Sequence, residues 1–223
     1  MARYSRIEVA LAMRENGIVP VYYHPDLDTC KQVLKACYEG GIRVFEYTNR
    51  GDQAHLLFAE LYKYCATELP EMKLGVGSIV EGATAALYIQ LGADFIVSPI
   101  LNQEIAKVCN RRKILWAPGC GTLTEISQAE EWGAEIVKLF PAAESGGPNF
   151  VKNIAAPSPW TAIMPTGGVE PTKESLTEWF GAGAYCVGMG SKLLKKDWIA
   201  NGQFEQLSAF VGEALNLARS IRP

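Results

Sequence analysis

The sequence predicts an α/β fold, a single (β/α)8 TIM barrel with an extra N-terminal helix, and three observations carry that prediction. Short apolar runs rich in Val, Ile and Phe alternate with longer stretches of helical spacing along the whole chain. Eight such runs fit into 223 residues, and a glycine recurs at the entrance to every second run. Alternation of this kind marks parallel strands joined by right-handed crossovers, and near-continuous apolar runs suit strands covered on both faces. A closed barrel of eight units needs upward of about 200 residues. The doubly wound open sheet is the alternative, but no G-x-G-x-x-G follows the first run, where the chain reads Pro20-Val21-Tyr22-Tyr23-His24.

A flanking helix over 3–16 leads into the first strand at 18–23, and Asp26 and Asp28 then read as capping residues of a helix over 26–39. The remaining strands are expected at 42–48, 73–79, 94–98, 113–117, 135–140, 161–165 and 185–189. Helical stretches at 52–68, 81–91, 122–132 and 172–181 lie between them, and a helix over 203–220 closes the chain. The second, fourth, sixth and eighth strands are entered through Gly41-Ile42, Gly92-Ala93, Gly133-Ala134 and Gly183-Ala184. Spacings of 51, 41 and 50 residues suit two βα units each, so the chain reads as four quarter-barrels. A glycine at each of these points suits a helix C-terminus ending in a left-handed residue. One domain therefore spans 1–223.

Composition narrows the function. With 21 Lys and Arg against 24 Asp and Glu the net charge is −3, and no basic run exists to hold nucleic acid or an anionic membrane. The N-terminus lacks the apolar core of a signal peptide, and no apolar stretch approaches the roughly 18 residues of a membrane span. Six cysteines form no C-x-x-C pair, so neither a disulfide framework nor a zinc site is expected, and a cytoplasmic chain is the default. No metal cluster or cofactor motif is evident.

Counting five residues on from each entry glycine reaches Glu46, Val97, Lys138 and Gly188. Alternate strands of such a barrel supply side chains to one interior layer. Glu46 and Lys138 are thus expected to meet inside, near the strand C-termini where active sites of this fold lie. The competing reading has one or both pointing outward toward the helices, with the Lys stem reaching water; repeat phase favours the inward one. Burial disfavours the ammonium form of a lysine and suits the amine to attack on a ketone. A neighbouring carboxylate can move protons, typically worth about 10²–10⁴ in rate.

Arg50 falls just past the second strand, where its planar fork could clamp a carboxylate. Pro165-Thr166-Gly167-Gly168 and Gly188-Met189-Gly190-Ser191 follow the seventh and eighth strands, the usual phosphate-holding loops of this architecture. His24 is expected to be a loop residue. Cys120 has no histidine in its segment to activate it.

These motifs, in order, make the chain resemble the class I 2-keto-3-deoxy-6-phosphogluconate (KDPG) and 4-hydroxy-2-oxoglutarate (KHG) aldolase family. The resemblance runs from about Gly17 to Leu194. It rests on Gly17-Ile18-Val19-Pro20-Val21, on the stretch from Gly41 to Arg50, on Gly75-Val76-Gly77-Ser78-Ile79, on Ser98-Pro99, on Pro118-Gly119, on Val137-Lys138-Leu139-Phe140-Pro141 and on Pro165 to Gly168. It implies a metal-free lyase, usually a homotrimer, that cleaves a 2-keto-3-deoxy sugar acid phosphate to pyruvate and glyceraldehyde 3-phosphate. By position, Lys138 resembles the Schiff-base lysine and Glu46 the general acid and base. Arg50 and Ser78 match the residues that bind the pyruvoyl carboxylate, and Pro99 the one against the pyruvate carbons. Thr166, Gly167, Gly168, Gly190 and Ser191 match the distal, phosphate-side pocket. Three departures stand out: Ser78 replaces a Thr, Ile100 replaces a Gly, and the Gly188–Ser191 turn is one residue longer than usual. The rival function is a non-covalent sugar-phosphate isomerase or binding protein on a phosphate-binding barrel, with Glu46 as base and Lys138 as a fixed charge.

Overall fold

The computed structural model describes residues 2–222. Helix α1 (Arg6–Asn16) precedes strand β1 (Ile18–Tyr22), and the chain then alternates through α2 (Leu27–Glu39), β2 (Val44–Thr48), α3 (Ala54–Glu68), β3 (Lys73–Gly77), α4 (Gly82–Gln90), β4 (Phe95–Val97), α5 (Gln103–Arg112) and β5 (Leu115–Ala117). The second half runs through β6 (Gly119–Cys120), α6 (Leu123–Glu131), β7 (Val137–Leu139), α7 (Gly147–Ala155), β8 (Ile163–Pro165), α8 (Lys173–Gly181) and β9 (Val187–Met189), then α9 (Lys196–Ala200) and α10 (Phe204–Ile221). All the pairings are parallel. Six strands are ordered β5-β4-β3-β2-β1-β9 and three β6-β7-β8, and both sheets curl about a common interior.

All eight expected strands are present but shorter. Six of them start one or two residues later than expected, as at Ile42-Arg43 and Glu135-Ile136, which only lead the chain up to the ladder, whereas β1 and β3 start as expected and end one or two residues early. Beyond the fifth run a further short strand, β6, follows Pro118, which has no N–H to give a ladder and so separates it from β5. Gly41, Gly92, Gly133 and Gly183 all have φ between 88° and 105°, the left-handed backbone expected of the strand-entry repeat. Of the two aspartates read as caps, Asp26 does cap α2, accepting from Thr29 N at 2.7 Å, whereas Asp28 lies inside its first turn. No described helix is long and apolar enough to cross a membrane.

Period-two alternation sorts each strand between two cores. Outward residues such as Phe45, Tyr47 and Trp116 pack against the helices. Inward residues Val19, Val44, Phe95, Leu115, Ile136, Met164 and Cys186 meet Val9, Ala12 and Met13 of α1 in a separate interior cluster. The extra helix is thus a plug across the N-terminal ends of the strands. Its own start is fixed by a capping box, Ser5 with Glu8. Around the rim, Arg3 N donates to Asp94 Oδ1 at 2.8 Å, Arg6 reaches Gly133 O at 2.7 Å and Glu135 at 2.5 Å, and Tyr185 Oη donates to Ala10 O at 3.0 Å.

Candidate active site

Two residues further along the same inward rows, the chemistry changes: Val44 gives way to Glu46, Ile136 to Lys138, Met164 to Thr166 and Cys186 to Gly188. Lys138 Nζ stands 3.6 Å from Glu46 Oε1, an ion-pair distance longer than a hydrogen bond. Both are buried, 6% and 1% exposed. Glu46 Oε2 has no hydrogen-bond partner among the described residues. Burial pushes the Glu46 carboxyl above the usual carboxylate range, and the nearby Lys138 and Arg50 charges only partly oppose this. A buried acid–base group shifted in this direction is a candidate for proton transfer.

Glycine makes the space for this carboxylate. A Cβ on Gly77 of β3 would collide with Glu46 Oε1, just as one on Gly75 would strike the ring of Phe95 a layer below. Ser78, the next residue, is held at φ 61°, a left-handed conformation costing a non-glycine residue about 1–3 kcal/mol. It is half-buried, as is Pro99, whose carbonyl lies where a Cβ on Gly119 would be.

A cavity of about 560 Å³ opens at the C-terminal ends of the strands. Its lining includes Arg50, Thr166, Gly167, Gly168, Gly190 and Ser191, so six of the ten expected site residues share one space. Lys138, Glu46, Ser78 and Pro99 are not in its lining. Lys138 connects to it through Phe140, whose ring centroid is 5.3 Å from Nζ. Gly167 and Gly168 have φ of 94° and 79°, and the buried Thr166 Oγ1, facing Gly188, has no partner among the described residues.

Sequence reasoning missed Tyr22, Tyr23, Phe140, Lys192 and Lys196, which also line the cavity. Tyr22, Tyr23 and Phe140 had one shared signal, their place at or just past a strand C-terminus, whereas Lys192 follows β9 in a turn and Lys196 begins α9. Lys192 is held by Glu170 at 2.7 Å. Ile100 is exposed, so that departure leaves the interior untouched. His24 is half-buried and accepts from Asp26 N at 3.1 Å. Burial pushes the Cys120 thiol up to about 12, which makes it a poor nucleophile. All six cysteines are free, and no group of three or more metal-ligating side chains occurs among the described residues. A groove of similar size, about 580 Å³, lies between α2 and the start of α10 and holds none of the expected residues.

The fold and the site together define a class: parallel α/β proteins that hold a buried lysine beside a buried carboxylate at the C-terminal ends of their strands. The chain belongs to the KDPG and KHG aldolase family, whose model matches residues 9–210. It is accordingly an aldolase, a carbon–carbon lyase. The 2-dehydro-3-deoxy-phosphogluconate aldolase of Pseudoalteromonas atlantica is 31% identical over 208 residues, covering 93% of this chain and 94% of its own. The KHG/KDPG aldolase of Escherichia coli is 29% identical, covering 91% and 92%. Among solved structures, a KDPG aldolase from Legionella pneumophila with pyruvate captured as a covalent carbinolamine superposes with a TM-score of 0.84. It is 24% identical and covers 92% of this chain and 97% of its own.

Proposed function

We propose that this chain is a class I pyruvate aldolase that cleaves KDPG to pyruvate and glyceraldehyde 3-phosphate, and also 4-hydroxy-2-oxoglutarate to pyruvate and glyoxylate. The observation that carries the reading is the buried Lys138–Glu46 pair at 3.6 Å. Lys138 Nζ, as the free amine, attacks C2 of the keto acid to give a carbinolamine, which loses water to become an iminium. Glu46 takes the proton of the C4 hydroxyl, directly or through water. The C3–C4 bond then breaks, its electron pair flows into the iminium, and the aldehyde departs. The enamine that remains is protonated at C3, and water releases pyruvate and returns the amine.

Arg50 clamps the pyruvoyl carboxylate with the Ser78 hydroxyl, and Pro99 packs against the pyruvate carbons. The distal phosphate or carboxylate lies against Thr166, Gly167, Gly168, Gly190 and Ser191, whose backbone and hydroxyl groups suit an anion. The reaction as written needs no metal or cofactor.

The proposed enzyme is one domain over 1–223 whose two sheets close into an eight-stranded barrel, and the seams between the sheets support this closure. Only Pro118 separates β5 from β6, and at the other seam Thr166 bridges Gly188 while Tyr185 N donates to Ile163 O at 2.8 Å. The working form is a homotrimer in the cytoplasm, with a small 2-keto acid as its partner and neither nucleic acid nor membrane.

The test is mass spectrometry after incubation with pyruvate and sodium borohydride. An added mass of about 72 Da, the reduced pyruvate imine of an activated lysine, is expected on Lys138 and absent in Lys138→Met. Folded protein without an adduct, or turnover retained by Lys138→Arg, would transfer the assignment to the non-covalent isomerase.

A further inference from the structure

We propose that Tyr23 and Tyr88 are positioning residues that hold the Arg50 turn from both sides and so set the guanidinium for the substrate carboxylate. The inference rests on the role given above to Arg50. Arg50 itself is exposed, in the irregular stretch between β2 and α3, and makes no side-chain hydrogen bond or ion pair within the described chain. A long flexible side chain in that setting binds tightly only if its backbone is fixed.

The turn is fixed on each flank. Before Arg50, Asn49 N donates to Gly77 O at 2.9 Å, and the Asn49 side-chain oxygen accepts from Tyr88 Oη at 2.9 Å. Beyond Arg50, the Tyr23 hydroxyl fills the place beside Gly51 that a side chain would take, and a Cβ there would collide with it. The two tyrosines are the ends of one aromatic ladder. Tyr23 lies 5.7 Å from Tyr47, Tyr47 6.1 Å from Phe58, and Phe58 5.1 Å from Tyr88 in an edge-to-face contact. Tyr47, Phe58 and Tyr88 are at most 1% exposed, so the ladder is as rigid as the core it belongs to. Tyr23 also lines the cavity beside Arg50. A carboxylate-binding arginine on a loop is thereby tied to the packed layer between strands and helices.

The test is steady-state kinetics in the condensation direction with pyruvate and glyoxylate. Arg50→Ala should raise KM for pyruvate by about a hundred-fold, the weight of a charged hydrogen-bonded contact, and Tyr88→Phe should raise it by about five-fold, the weight of one hydrogen bond, with its kcat little changed. In the Arg50→Ala background Tyr88→Phe should add nothing, because the two act as one unit. Gly51→Ala should also raise KM for pyruvate, and Tyr23→Phe should partly reverse it by removing the colliding hydroxyl. If Arg50→Ala raises KM while Tyr88→Phe and Gly51→Ala do not, or if Tyr88→Phe acts equally in both backgrounds, the positioning role is overturned and Arg50 keeps its own. If Arg50→Ala leaves KM unchanged, the role of Arg50 falls first and the positioning role with it.

Discussion

The two ends of the strand interior are built from the same rows of residues and do opposite things. At the N-terminal end Val44, Ile136, Met164 and Cys186 point inward and α1 closes over them with Val9, Ala12 and Met13. Two residues later, about 7 Å along each strand, the inward positions are Glu46, Lys138, Thr166 and Gly188. The lower layer is apolar and buried, and each buried side chain of this size stabilises the fold by about 1.5–3 kcal/mol. The upper layer leaves a carboxylate oxygen and a threonine hydroxyl without partners, which a protein interior ordinarily avoids. Stability and chemistry are thus separated by a single step along the strands, and the lower layer supports the unfavourable arrangement above it.

Changes at the upper layer should be felt in catalysis first. Glu46→Gln is expected to lower kcat by about 10²–10⁴ while leaving borohydride trapping of pyruvate measurable, since attack by the amine does not need the carboxylate. Its pH dependence has a definite sign. A carboxyl whose folded pKa is raised gives stability below its ordinary range and loses it as pH rises through the raised value. Thermal unfolding should therefore show Glu46→Gln melting above the wild type in mildly alkaline buffer, the two converging as pH falls to about 4. A wild-type advantage at high pH would mean that Lys138 outweighs burial.

The lower layer should respond in the reverse manner. Met13→Ala opens a cavity beneath the interior and is expected to cost about 2–5 kcal/mol in urea unfolding, with kcat per folded molecule preserved. A proportional loss of kcat would show that the two layers are mechanically coupled. The smallest effect belongs to the outer mouth, where Ser191→Ala should raise KM for the phosphorylated substrate by about ten-fold, as for one hydrogen bond to a charged group, and far less for 4-hydroxy-2-oxoglutarate. Equal effects on both substrates would remove Ser191 from the phosphate contact.

Residues whose signal repeats along the chain were legible in the sequence. The four entry glycines put Glu46 and Lys138 in equal phase, and the pair does meet; Arg50 and the two glycine-rich turns converge on one cavity because strand ends do. The helices at 103–112 and 147–155 were not singled out, since α5 is highly polar and α7 begins with two left-handed glycines ahead of Pro148. The cavity-lining Tyr22, Tyr23, Lys192 and Lys196 carried no motif.

The sequence by itself determined the order of the elements, the inward phase of each strand, and the equal phase of Glu46 and Lys138, because these are properties of local periodicity. Only the tertiary structure decided that Glu46 and Lys138 approach to 3.6 Å, that Gly77 makes room for the carboxylate, that α1 is a plug rather than a flank, and that Tyr88 reaches Asn49. Each of these joins residues from elements distant along the chain. Strand register, sheet curvature and side-chain packing fix such distances jointly, and no single stretch of sequence contains them.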